Sequence, residues 1–173
     1  LVSERRIGKT SIVRKMEAEP RPGWIAFYMA LEGVRSPMEF IARLVAVTKP
    51  VLSRRKRVLA SLERAYQEIA GQEVKDWTLP VVSKHWKRLL RIVLDDIAEN
   101  LDQRVVFFWD ELPFMVANIK DDMGPTPAME LLDVLRDLRI SDRNGRVRMV
   151  FTGSVGLHLV LAELKRSGYL GDP

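Results

Sequence analysis

Between Arg104 and Glu111 the chain reads RVVFFWDE: five consecutive apolar residues, Val105 to Trp109, closed by two carboxylates. A run this short, and this rich in β-branched and aromatic side chains, has no polar face. It therefore fits a strand covered on both sides, the condition of a strand inside a parallel sheet. Parallel neighbours need long crossover connections. The chain supplies them, because two further apolar runs, Trp24 to Leu31 (WIAFYMAL) and Val147 to Phe151, stand apart from the first with helical patterns between. Strands alternating with helices predict an α/β fold of three layers, with helices on both faces of a mostly parallel sheet.

The helical segments follow from spacing. A helix opens near Lys9 and continues from Ser11 to Met16, and Arg21-Pro22-Gly23 makes a turn. Ser36 is placed to cap a helix that begins at Pro37, carries Phe40, Ile41, Leu44 and Val45 on one face, and is expected to stop at Pro50. Val58, Leu62, Ala65 and Ile69 line another helix that Gly71 ends, and Gln72 to Pro80 is irregular, so the stretch around 52–80 reads as a mainly helical insert. Trp86, Leu89, Leu90, Val93, Leu94, Ile97 and Leu101 form a strongly amphipathic helix leading into the acidic strand. Gly124, Pro125 and Pro127 predict a loop from Asp121 to Pro127, before a helix from Ala128 to Arg139.

Residues 3 to 10 carry the second constraint. Ser3, Glu4, Arg5, Arg6, Ile7, Gly8, Lys9 and Thr10, followed by Ser11, match the phosphate-cradling pattern G-x-x-x-x-G-K-[ST] with Ser3 in place of the first glycine. In such a loop backbone N–H groups curl around a polyphosphate, the lysine ammonium reaches the outer phosphates, and the hydroxyl of Thr10 coordinates Mg²⁺. The helix opening at Lys9 adds the partial positive charge of its N-terminus. If Ser3 takes a positive φ, as the pattern's glycine can, serine costs about 1 kcal/mol there.

Ligands of open α/β sheets bind beyond the carboxyl ends of the strands, which is where Asp110 and Glu111 fall. An aspartate there can hold Mg²⁺ and the adjacent glutamate can orient or activate water, so Asp110 is the candidate metal residue with Thr10, and Glu111 the candidate base. The alternative is an acidic pair that marks a solvated strand end. Thr152 and Ser154, after the third run, are read in two ways: as groups that sense an outer phosphate or place the attacking water, or as turn and N-cap residues around Gly153. On the first reading they join Lys9 and Glu111 as candidate catalytic residues.

Composition narrows the classes. The chain of 173 residues has the length of one domain, and 47% hydrophobic residues suffice for a sizeable core. Nothing resembles a signal peptide or a transmembrane span, so a cytoplasmic protein without a membrane partner is expected. With no cysteine and only His85 and His158, disulfides and zinc sites are not expected. The net charge of +5 includes the basic run Arg54 to Arg57 and the cluster Lys84, Lys87, Arg88 and Arg91. These read as solvated helix faces rather than a nucleic-acid groove, since no aromatic residues are interleaved to stack bases. Only Leu1 and Val2 precede the loop, where a whole strand is expected, and Gly168 to Pro173 reads as a loop, so the domain spanning 1–173 is expected to be truncated at both ends.

Taken together, SERRIGKTSIVRKM, IAFYMALEGVRSPMEF, VVFFWDELPFMV and RMVFTGSVGL resemble the prokaryotic AAA+ and STAND-type P-loop ATPases of the archaeal-type group. The resemblance covers most of the chain outside the insert. It implies a P-loop NTPase fold of the ASCE type, ATP and ADP as ligands with Mg²⁺, and a sensor role for Thr152 or Ser154. It also implies a C-terminal helical or winged-helix region beyond Pro173, with a homo-oligomer or nucleic acid as partners left open. A GTPase is not expected, because Asp110 is followed by Glu-Leu-Pro and Asn118-Ile119-Lys120-Asp121 has the wrong spacing. A small-molecule kinase uses the same loop, but the clustered arginines of its lid are not evident. A module that binds ATP or ADP as a switch without turning it over needs the same residues as a hydrolase.

Overall fold

The structure, a computed structural model, describes residues 8–52, 86–141, 145–154 and 156–166. The candidate loop residues Ser3, Glu4, Arg5, Arg6 and Ile7, nearly all of the 52–80 insert, the basic run Arg54 to Arg57, and both chain ends lie outside them. In chain order the elements are α1 (Lys9–Ala18), β1 (Trp24–Ala30), α2 (Pro37–Leu52), α3 (Trp86–Asn100), β2 (Arg104–Asp110), α4 (Leu112–Met123), α5 (Pro125–Ser141), β3 (Val147–Phe151) and α6 (Leu157–Arg166).

The three apolar runs are the three strands. They form one parallel sheet in the order β1-β2-β3, with Tyr28 opposite Phe108, Ala30 opposite Asp110, and Trp109 opposite Phe151. Side chains of a strand alternate between faces, so one register sorts the whole sheet. Phe27, Met29, Val105, Phe107 and Trp109 point into the main core with α2, α3, α4, α5 and α6. Tyr28 and Phe108 point the other way, onto Val13 of α1. Helices therefore cover both faces of a parallel sheet, the mixed α/β arrangement that the alternating pattern predicts.

Aromatic rings tie the strands together inside the main core. Phe27 stacks on Phe107 at 5.4 Å between centroids, Trp109 stacks on Phe151 at 5.6 Å, and Phe40 of α2 meets Trp109 edge-on at 5.0 Å. Phe107 and Trp109 are completely buried, and truncating such a ring to alanine costs about 3–5 kcal/mol. The Trp109 indole N–H finds no acceptor among the described residues.

Two boundaries differ from the sequence reading, both at prolines. Helix α2 does not stop at Pro50 but runs to Leu52. Proline removes its own N–H, yet its fixed φ is helical, so the residues after it can remain in the helix at the loss of one hydrogen bond. The expected loop from Asp121 to Pro127 is the single residue Gly124, since α4 reaches Met123 and α5 begins at Pro125. Pro125 and Pro127 occupy the first turn of α5, where their missing N–H groups have no helical partner to lose. Gly124 makes the corner with φ 89°, a conformation that L side chains rarely adopt. The Ser36 cap is as expected: its hydroxyl accepts from the Glu39 N–H at 3.1 Å, and Glu39 accepts from the Arg35 N–H at 2.9 Å.

No helix among the described residues is long and apolar enough to cross a membrane.

Candidate functional site

Strand alternation decides which side chains meet at the carboxyl edge of the sheet. Tyr28, Phe108 and Asp110 lie on the face that α1 covers, two residues apart along their strands. Beyond β3 the pairing continues, because the Thr152 N–H donates to the Trp109 carbonyl at 3.0 Å and the Leu112 N–H donates to the Thr152 carbonyl at 3.2 Å. This brings the Thr152 hydroxyl onto Asp110. The first turn of α1 brings Thr10 to it from the other side.

Asp110 is the centre of the arrangement. Its Oδ2 accepts from the Thr10 hydroxyl at 2.7 Å and from the Tyr28 hydroxyl at 2.9 Å, while its Oδ1 accepts from the Thr152 hydroxyl. Asp110 is only 5% exposed. Burial alone would push its carboxyl pKa up. The bonds from Thr152, Thr10 and Tyr28, and the Glu111 backbone N–H, outweigh burial and hold it below the usual carboxylate range. Asp110 is therefore a fixed negative charge whose two oxygens are already engaged.

Glu111 has the only positive φ outside glycine among the described residues, φ 60° and ψ 38°. A side chain in this left-handed region costs about 1–2 kcal/mol, and such strain collects at functional sites. The strained turn redirects the chain from β2 into α4 and aims the Glu111 carboxylate at Ser154. Its Oε2 accepts from the Ser154 N–H at 2.9 Å and the Ser154 hydroxyl at 3.0 Å. Thr152 and Ser154 thus divide the acidic pair between them, one on Asp110 and one on Glu111.

Gly8 turns the chain into α1 with φ 77°, and no side chain caps the helix. A Cβ at Gly8 would meet nothing within 4 Å among the described residues, and the backbone angle itself calls for glycine. The first-turn N–H groups of α1 have no partner within the helix by geometry, and Lys9, Thr10 and Ser11 stand at that end. Lys9 is partly exposed, Thr10 and Ser11 exposed.

The segment that follows β1 is tied to α4. The Asn118 side-chain amide of α4 donates to the carbonyls of Glu32 at 2.7 Å and Val34 at 3.3 Å, and Arg35 forks onto Asp122 at 2.9 and 2.7 Å.

Of the candidate residues that are described, Thr10, Asp110, Glu111, Thr152 and Ser154 form one hydrogen-bonded cluster, and Gly8, Lys9 and Ser11 lie at its α1 end. Sequence reasoning missed Tyr28, because one tyrosine in an apolar run looks like any core residue. The signal was its register: it lies two residues before the position opposite Asp110. Among the described residues no three His, Cys, Asp or Glu side chains gather into a ready-made metal cage. Of the basic cluster, Lys84 lies outside the described residues, while on α3 Lys87 pairs with Glu130 at 2.6 Å and Arg91 with Asp137 at 2.9 Å. Comparison with models of protein families, with curated proteins and with solved structures gave no match to any of them.

Proposed function

We propose that this chain is a nucleotide-binding domain that binds Mg·ATP at the start of α1 and hydrolyses it. The observation that carries the proposal is the Thr10–Asp110 hydrogen bond, which joins the Gly8-Lys9-Thr10 turn to the acidic strand end across 100 residues of sequence. Two motifs that share nothing locally meet at one point, as a phosphate loop and a metal-site aspartate must.

The donors suit a hard cation. Mg²⁺ bound through phosphates needs one or two carboxylates and a hydroxyl rather than a protein cage, which fits Thr10 backed by Asp110. Thr10, backed by Asp110, would hold the cation, whose positive charge would offset the negative charge that develops on the phosphates. The Thr10 hydroxyl donates its hydrogen bond to Asp110, so the lone pairs of its oxygen are left to face a ligand. Lys9 supplies a positive charge for the outer phosphates, and the N–H groups of α1 supply fixed donors. In hydrolysis a water oxygen bonds to the terminal phosphorus as the bridging P–O bond breaks, giving ADP and phosphate. Glu111 orients that water and takes up its proton through Oε1, which accepts no hydrogen bond among the described residues while Ser154 holds Oε2.

The Ser154 contact also favours a second reading, a switch in which Ser154 restrains Glu111 and turnover is slow until the contact opens. Turnover by the Glu111→Gln variant tests hydrolysis. Loss of a general base typically lowers a rate by about 10²–10⁴-fold, so this variant is expected to keep ATP and turn it over at least a hundredfold more slowly. Equal low rates in wild type and variant would refute hydrolysis and leave the switch.

A further inference from the structure

Tyr28 joins three parts of the proposed site that no sequence motif connects. It is 8% exposed, its ring lies under α1, and its hydroxyl reaches the oxygen of Asp110 that Thr10 also uses. The Arg14 guanidinium sits 3.6 Å from the centre of the Tyr28 ring. Glu17 accepts from the Tyr28 backbone N–H at 3.0 Å and pairs with Arg14 at 3.0 Å. Thr10, Arg14 and Glu17 are spaced i, i+4, i+7, so they form one face of α1. That face rests on Asp110 through Thr10 and on Tyr28 through the other two.

A carboxylate oxygen has two lone-pair sites. On Oδ2 of Asp110, Tyr28 fills one and Thr10 the other. The terminal torsion of an aspartate is broad and roughly two-fold, so a carboxylate that keeps only Thr152 and the Glu111 backbone N–H as further donors can shift and carry the Thr10 acceptor with it. The Tyr28 hydroxyl removes that freedom. It also leaves Oδ2 no lone pair for a cation, so Asp110 serves by directing the Thr10 hydroxyl rather than through direct ligation by that oxygen.

We infer that Tyr28 is a positioning residue of the metal-nucleotide site, one that fixes Asp110 so that Thr10 presents its oxygen to the divalent cation. The inference rests on the Mg·ATP reading above. It assigns to a strand residue outside both motifs a share of metal affinity, with no contact to nucleotide.

Tyr28→Phe deletes one oxygen and keeps the ring, the Arg14 contact and the backbone bond to Glu17. The test titrates Mg²⁺ into the full-length protein with a fluorescent ATP analogue, for wild type, Tyr28→Phe and Arg14→Gln. Removing an outer-shell partner of a metal site typically costs about 10–100-fold in metal affinity. Tyr28→Phe is expected to raise the Mg²⁺ midpoint about tenfold and to leave binding of the analogue in chelator unchanged. Arg14→Gln, which loosens α1 but spares the hydroxyl, is expected to leave the midpoint in place. An unchanged midpoint in Tyr28→Phe overturns the inference, as does an equal shift in Arg14→Gln, which would assign the effect to helix packing. These outcomes are distinct from failure of the underlying reading, in which the wild-type protein itself does not bind the analogue or Lys9→Ala binds it equally well.

Discussion

Ser154 donates twice to one oxygen of Glu111, from its backbone N–H at 2.9 Å and its hydroxyl at 3.0 Å. The contact crosses from the end of β3 to the end of β2, and it fixes a carboxylate that would otherwise turn freely at the head of α4. If Glu111 works through its other oxygen, Ser154 holds it in working position. Ser154→Ala is then expected to lower the steady-state ATP hydrolysis rate about tenfold, in line with about 1.5–3 kcal/mol for a hydrogen bond to a charged group, of which the backbone bond retains part. A rate that rises instead would identify the contact as a restraint and favour the switch.

The left-handed backbone at Glu111 predicts a conflict between stability and turnover. Glycine adopts φ 60° without the steric cost that any Cβ brings. Thermal melting of Glu111→Gly and Glu111→Ala, both lacking the carboxylate, isolates the backbone effect. The glycine variant should be the more stable by about 1 kcal/mol, although both lose turnover. A glycine variant that melts below the alanine variant would contradict strain at this position.

Tyr28 gives the site a signature at high pH. Burial, then its bond to Asp110 and the charge of that carboxylate, push the hydroxyl from 10.0 up to about 12. The folded state therefore binds this proton more tightly than the unfolded chain. The stability it contributes is whole below pH 10 and is lost as pH rises towards 12. Tyrosinate absorbance of wild type minus Tyr28→Phe should show one late step near pH 12. A difference step near pH 10 would mean that the hydroxyl is not held on Asp110.

Much of this arrangement was legible in the sequence because it rests on strong local signals. Apolar runs without a polar face located β1, β2 and β3, and the carboxylates closing RVVFFWDE marked the sheet edge where a ligand would sit. The pairing of Thr10 with Asp110 was implied by two motifs, each of which specifies a partner it does not contain. What escaped depends on register or on the direction in which a residue acts. Tyr28 differs from Phe27 in facing α1 and in carrying the hydroxyl that reaches Asp110, and a run with no alternation does not show which residue faces which way. Pro50 reads as a stop and Pro125 and Pro127 as loop residues, whereas proline disturbs the turn before it and can begin or continue a helix after it. The strain at Glu111 follows from the tight passage from β2 into α4, which no propensity encodes.

The central claim is that Gly8, Lys9 and Thr10 bind the phosphates of ATP, with Asp110 behind the metal. Calorimetric titration of Mg·ATP into the full-length protein tests it most directly when wild type is compared with Lys9→Ala. Lys9 is partly exposed at the start of α1, so its loss should leave the melting temperature nearly unchanged. The account predicts saturable one-site binding by wild type, weakened by roughly 10–100-fold in Lys9→Ala, as loss of a charge-assisted contact requires. Binding of equal strength in both proteins, or none in wild type, would contradict it.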